Sequence, residues 1–315
     1  MSFRFQPYRN HDQDADRVLG FLSRISTHPA YLSDYMVGDF VWGGYAGHQI
    51  GYDERIGIWQ GDGGEVAGIC WITPPNETAF VIDPDLRGTD AERTMIGEMM
   101  DWTLLRLPDL RGDNTEPIGA TVSSHDKNQQ KILADLGLVF SGESWFNAYA
   151  RSIAEPIEVP QLPEGFRFAE MDDSADLTQR VEIHRDVWAP SKLTLEGYLK
   201  LRQAPIYRSD LDLAVVAPDG RFATYLIAWL DPEARTLEFE PVGAREEFRG
   251  RGLTRALMLE AMRRGRELGA ERAYVLSYTS AEPANALYRS CGFEIVTTLD
   301  WWHYPAPDEP ARGRT

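Results

Sequence analysis

The stretch Val242-Gly-Ala-Arg-Glu-Glu-Phe-Arg-Gly-Arg-Gly-Leu-Thr-Arg-Ala-Leu257 decides the reading of this 315-residue chain. It reads as a strand that passes through a tight Arg/Gly turn into a helix. Leu253, Ala256, Leu257, Ala261 and Leu268 recur on one side of that helix and fix its start near Gly252. Gly250 and Gly252 remove side chains where a ligand can approach the backbone, and the free amides of a first helical turn point at whatever lies beyond. Such an end favours an anion. Arg245, Arg249, Arg251 and Arg255 gather positive charge at the same place. A diphosphate site accounts for this cluster better than a solvated turn whose arginines pair with Glu246, Glu247 and Glu260. Gly250-Arg-Gly252 lacks the third glycine of the Rossmann fingerprint, and the Walker lysine is absent.

Arg249-x-x-Gly252-x-Thr254 resembles the acyl-CoA-binding signature Gln/Arg-x-x-Gly-x-Gly/Ala of the GNAT N-acetyltransferase superfamily. Downstream, Ala284-Asn-Ala-Leu-Tyr-Arg-Ser-Cys-Gly-Phe293 is similar to the second motif of that superfamily. The resemblance implies that the amides of Arg249, Gly250, Arg251, Gly252, Leu253 and Thr254 cradle the pyrophosphate of acetyl-CoA or another short acyl-CoA co-substrate. It also implies that the backbone of Val242, Gly243 and Ala244 pairs with the pantetheine arm. Pro241 and Gly243 fit this, because a central strand tolerates them badly unless it bulges or parts from its neighbour. Thr254 departs from the small residue of the family and either crowds the phosphates or offers them a hydroxyl. Tyr288 matches the position whose phenol returns a proton to the departing thiolate. Asn285, one turn earlier, orders either the cofactor or the helix, and Ala281 stands where the family often has another Asn.

An amine nucleophile must lose a proton before it attacks a thioester. In Leu237-Glu-Phe-Glu240, alternation puts both acids on one strand face, where partial burial raises at least one pKa. Glu240, nearer the point of parting, is the first candidate base and Glu238 the second. The alternative is that both pair with arginines. By the same resemblance the acceptor amine is held by His184-Arg-Asp186-Val-Trp188-Ala-Pro190, with Tyr198 and Tyr207 beyond. Acids and aromatics together suit a cation, so Asp186, Trp188 and Tyr198 are the candidate substrate-binding residues.

Around this segment the predicted order is a strand at 166–169, helices at 176–188 and 194–203, and strands at 211–217, 222–230 and 235–244. A helix over 252–268, a strand at 272–278, a helix at 283–290 and a strand at 293–303 follow. This order gives an α/β domain with a mixed sheet. The first half carries the same landmarks in the same order. Phe3-Arg-Phe5 recurs as Phe166-Arg-Phe168 before Asp172 and Asp173, Asp62-Gly63 as Asp219-Gly220, and Leu136-Gly137 as Cys291-Gly292. Two tandem GNAT-like domains are therefore expected. Residues 1–151 form a degenerate copy, 152–164 a linker rich in proline (Pro156, Pro160, Pro163), 165–304 the catalytic copy and 305–315 a flexible tail. In the first copy the phosphate turn becomes Asp83-Pro-Asp-Leu-Arg-Gly88-Thr-Asp90, in which Asp85 and Asp90 repel a diphosphate, and Leu133 stands where Tyr288 does.

A net charge of −17 disfavours nucleic acid and anionic membrane as partners. Cys70 and Cys291 stand apart without clustered histidines, so neither a disulfide nor a metal site is expected. The start lacks an apolar signal core, and a cytoplasmic protein is expected. The resulting expectation is an N-acetyltransferase acting on a small-molecule amine by direct attack, with oligomerisation left open. The rivals are a non-catalytic acyl-CoA-binding regulator and a structural, protein-binding pair of domains.

Overall fold

Alternation along the strands and three-to-four spacing along the helices build two separate cores, which the computed structural model describes over residues 3–9, 11–28, 35–45, 51–172 and 174–305. Asp173 and residues 306–315 of the expected tail lie outside the described residues. Two compact units result, and neither is continuous in sequence. The first comprises residues 1–35, 50–147 and 297–315, the second residues 36–49 and 148–296.

In chain order the elements open with β1 (Arg4–Pro7) and α1 (His11–Ser26), followed by α2 (Val37–Tyr45), which belongs to the second unit. The first unit continues with α3 (Tyr52–Arg55), β2 (Ile56–Gln60), β3 (Val66–Thr73), β4 (Glu77–Ile82), α4 (Asp90–Leu110), β5 (Gly119–Ser123) and α5 (Lys127–Asp135). After β6 (Val139–Ser152) come β7 (Arg167–Glu170), α6 (Leu177–Val187), α7 (Leu195–Leu201), β8 (Asp212–Val216), β9 (Phe222–Asp231) and β10 (Thr236–Ala244). The chain closes with α8 (Leu253–Glu267), β11 (Arg272–Tyr278), α9 (Glu282–Ser290) and β12 (Glu294–His303).

Strand order shows the duplication. The first unit runs β1-β2-β3-β4-β5-β12, and the second, read from its β7 edge, runs β7-β8-β9-β10-β11-β6. Each sheet is antiparallel until its fourth strand meets the fifth in parallel. The sixth strand is exchanged: β6 follows α5 yet its end, from Ala148, belongs to the second unit, while β12 follows α9 yet pairs with β5 in the first. This moves the boundaries away from those drawn from sequence, because a terminal strand belongs where its backbone bonds are made. The proline-rich segment is also ordered, with Ile153 and Ile157 buried in the second core and the Ile153 amide bonded to Glu271 O (2.8 Å).

In the second unit, alternation sorts side chains onto two faces. Leu213 and Val215 of β8 join Leu237 and Phe239 of β10 beneath Leu257 and Met258 of α8, whereas Ala214, Val216 and Tyr225 meet Ile183 of α6 on the other face. Below α6 lies a buried polar group. Arg180 Nε donates to Asp212 Oδ1 (2.9 Å), Tyr198 Oη bonds Asp212 Oδ2 (2.7 Å), and the guanidinium lies 4.1 Å from the Tyr225 ring centroid. In the first unit, Met95, Ile96, Met99 and Met100 of α4 cover Cys70, Phe80, Ala120 and Val122.

Gly119 pairs with His303 where β5 meets β12, and a Cβ there would strike the carbonyl oxygen of Trp302. Backbone cannot yield as a side-chain tip can. Gly119→Ala is expected to lower the unfolding free energy by about 2 kcal/mol or more, read from the denaturant midpoint.

Candidate functional site

The site begins where β10 leaves its partner. β10 pairs in parallel with β11 only over Thr236, Leu237 and Glu238, and its register with β9 shifts between Phe239 and Val242. Pro241 sits inside that irregularity with no amide to donate. Beyond it Val242, Gly243 and Ala244 pair only with Leu226, Tyr225 and Thr224 of β9, so their other edge faces a cavity of about 590 Å³. Gly243 is required by packing, since a Cβ would lie 2.7 Å from Val187 Cγ1 and 2.9 Å from the Tyr225 ring.

The opposite wall is the Arg/Gly turn and the start of α8, from Phe248 to Arg255. Gly250 (φ +74°) and Gly252 (φ +75°) are left-handed, and a Cβ on either meets no atom within 4 Å. Their glycines therefore serve backbone conformation, and the space before them is open. Among the described residues, the amides of residues 250–254 donate to no protein acceptor, while that of Arg249 is tied to Glu246 O (3.1 Å). The open row of amides thus runs from Gly250 to Thr254, one amide shorter than the resemblance implies. Thr254 Oγ1 lies 3.0 Å from Thr224 Oγ1, which bonds Gly243 O (2.7 Å). With the Thr224 proton committed to that carbonyl, the Thr254 hydroxyl donates inward and has no proton left for a phosphate.

Of the four arginines, Arg245 pairs with Asp186 (3.0 Å) and Arg255 with Glu158 (2.6 Å), whereas Arg249 and Arg251 bond only backbone carbonyls among the described residues. Among the described residues none of the four forms an ion pair with Glu246, Glu247 or Glu260. Two cations therefore face the cavity without a carboxylate, which suits an anionic guest.

Tyr288 closes the floor from α9, its side chain 6% exposed and its ring 5.6 Å from that of Tyr149. Burial, reinforced by the Glu240 charge, pushes the phenol above its ordinary range, so it stays protonated at neutral pH. Glu240 carries no side-chain hydrogen bond or ion pair among the described residues, and burial followed by the charge of Asp39 pushes it up to about 8. Glu238 rises well above the usual carboxylate range for the same two causes, but both of its oxygens accept amides of α2, from Asp39 (2.9 Å) and Gly38 (2.7 Å). Neither acid pairs with an arginine among the described residues, and neither lines the cavity itself.

Three other candidates do not line the cavity. Asn285 donates to Tyr278 O and Thr279 O (3.1 Å each) and accepts from Tyr149 Oη (3.2 Å), clamping α9 to β11 outside the cavity. Tyr198 is fully buried on Asp212 and does not reach the cavity, because α7 carries it inward. Asp186 is held at the rim by Arg245. Trp188 does line the mouth, 46% exposed, and the nearby Tyr225 hydroxyl meets His184 Nδ1 (2.7 Å). Burial and the Arg180 charge push His184 down to about 3, so that ring is neutral.

The turn of the first unit enters in the same way, but its helix is capped by extended Thr89 rather than by a left-handed glycine. Pro84–Leu86 and Glu246–Phe248 are corresponding 3₁₀ turns, and Gly88 (φ +76°) corresponds to Gly250. The Gly88 amide donates to Glu92 Oε2 (2.6 Å), and Glu92, 1% exposed, stands where Thr254 does. Asp85, with a side chain 82% exposed, contributes less than sequence implies. Leu133 is wholly buried in the core. Nothing in the pattern of the turn marked Glu92. Its spacing of four from Gly88 is the available signal.

With this geometry in view, residues 179–293 match the Acetyltransferase (GNAT) family. A mycothiol acetyltransferase from Thermobispora bispora is 24% identical over 245 residues, spanning 74% of this chain and 78% of its own length. A GCN5-related N-acetyltransferase from Sphaerobacter thermophilus matches with a TM-score of 0.63 and 17% identity over 95% of this chain and 94% of that one. A tandem GNAT protein from the clavulanic acid biosynthesis pathway matches with a TM-score of 0.61 and 15% identity over 98% and 100%. These two share the fold. Among the described residues no helix is long and apolar enough to cross a membrane, and no group of metal-ligating side chains is assembled.

Gly252→Ala places an L-residue in the left-handed region with nothing to clash against. It is expected to cost about 1 kcal/mol of stability, measured by urea unfolding.

Proposed function

We propose that this chain, whose residues 179–293 match the GNAT acetyltransferase family, transfers an acetyl group from acetyl-CoA to the primary amine of a small molecule by direct attack in a ternary complex. One observation carries the reading. A single cavity joins the open amides of residues 250–254 to the Tyr288 phenol beneath a strand that has parted from its neighbour. A diphosphate fits the amides and the free cations Arg249 and Arg251, and an extended thioester arm fits the bare edge of Val242 to Ala244.

In the reaction the acceptor ammonium gives a proton to Glu240, Glu238 being the second candidate, and the free amine forms the C–N bond while the C–S bond breaks. The thiolate takes the Tyr288 proton, and the proton shed by the new amide nitrogen restores the phenol. A base that titrates near 8 is active only in its ionised form, so turnover should fall as pH drops through about 8. Trp188 lines the mouth on the acceptor side and offers its ring face to a cation. Acyl transfer of the mycothiol acetyltransferase kind is a narrower form of this reading, favoured by the relative from Thermobispora bispora. We place the protein in the cytoplasm, without metal, nucleic acid or membrane as partners.

A panel of primary amines assayed for CoA release with acetyl-CoA tests the proposal. Tyr288→Phe should keep CoA binding by calorimetry and lose about 10²-fold or more in turnover at neutral pH. Absence of CoA binding by the wild type would sink the reading, and a Tyr288→Phe protein with full turnover at every pH would remove the proton donor. Glu240→Gln should lose turnover comparably, and the wild-type rate should rise between pH 7 and 9.

A further inference from the structure

Helix α2 brings into the second unit a carboxylate that the motifs do not mark. The amides of Gly38 and Asp39 both donate to Glu238, at 2.7 and 2.9 Å, so the start of α2 hangs from the middle of β10. The approach leaves no room for a side chain at Gly38, where a Cβ would lie 2.6 Å from Glu238 Oε2 and strike the Trp229 ring. Asp39 Oδ2 in turn accepts the Met36 amide (3.0 Å), which fixes the carboxylate at the start of its helix. One turn further on, the Trp42 ring lies 5.1 Å from that of His184, and Met36 is buried against Ala148 and Tyr274. The helix is therefore held at several points, and Asp39 cannot swing away.

Glu240 feels this arrangement. The titratable groups that face it are Asp39 from α2, Glu238 from its own strand, Tyr225 from β9 and Tyr288 from α9. Among the described residues no cation forms an ion pair with any of the three acids. Glu238 spends both oxygens on backbone amides, whereas Glu240 spends neither on a protein partner. Burial pushes Asp39 up to about 6, so it is charged while Glu240 titrates near 8. Its charge is the second cause, after burial, that lifts Glu240.

We propose that Asp39 is a positioning residue for Glu240: hung from Glu238 through its own amide, it presents a fixed negative charge that tunes Glu240 for taking a proton from the incoming amine. This rests on the reading of Glu240 as the base. A segment from the first fifty residues thereby joins a site whose other candidate residues lie between Asp186 and Tyr288.

The test needs no acceptor. Full-length protein labelled with ¹³C at the glutamate side-chain carboxyl is titrated by NMR, and the resonance missing from Glu240→Gln identifies Glu240. In Asp39→Asn, which keeps an oxygen for the Met36 amide, its midpoint should fall by about one pH unit from the wild-type value. CoA affinity by calorimetry should stay within about twofold, because Asp39 does not touch the cavity. A midpoint that does not move in folded Asp39→Asn overturns the proposal and leaves Asp39 as a helix cap only. Should that variant not fold, Asp39→Ser keeps a capping oxygen and is judged by the same midpoint. The base assignment fails separately, through a Glu240→Gln protein whose turnover with the amine panel is undiminished.

Discussion

Everything in the second unit follows from the parting of β10 and β11 after three residue pairs. A strand in the middle of a sheet normally spends both edges on its neighbours, and backbone groups left without partners are costly when buried. Here the cost is confined to Val242–Ala244, whose bare edge opens on a cavity rather than on packed protein. The same break puts Glu240 at the last position before the opening and keeps its carboxylate away from protein donors. It also leaves room for the Arg/Gly turn to present amides along a line leading to Tyr288. A continuous ladder would close the cavity, the anion seat and the floor together.

The corresponding turn of the first unit differs by few residues. Its turn has the same 3₁₀ entry and the same left-handed glycine, and its helix starts at nearly the same place. One buried carboxylate, Glu92, takes the Gly88 amide, and Thr89 accepts the Glu92 amide as helix cap. With the Thr89 amide on Leu86 O (3.2 Å), three of the five amides that correspond to the open ones of the second unit are satisfied from within. Burial raises Glu92 above its usual range, and the Gly88 hydrogen bond pulls it back, so the contact is a settled part of the core. A buried carboxyl at hydrogen-bond distance fills this turn more directly than exposed Asp85 could repel a guest.

Local chemistry was legible and long-range placement was not. The order of strands and helices from residue 166 onward follows from alternation and from the glycines at 252 and 269, because each is decided within a few residues. Pro241 and Gly243 foretold the parted strand for the same reason. Asn285 and Tyr198 carry the right chemistry but face inward, and only packing determines which way a helix turns its polar residues. Asp39 lies some two hundred residues from Glu240, and no spacing rule reaches that far. The exchange of β6 and β12 is equally invisible, since both strands read well in either unit.

That exchange bears on how the chain is made. Residues 3–135 emerge first and contain five of the six strands of their unit, but the place beside β5 is filled by residues 299–303, close to the end of the sequence. The early unit must therefore wait with an open edge until the last strand is synthesised. The later unit, by contrast, finds α2 and β6 already made. Vectorial synthesis thus favours the half that carries the open cavity, and the other half is sealed last.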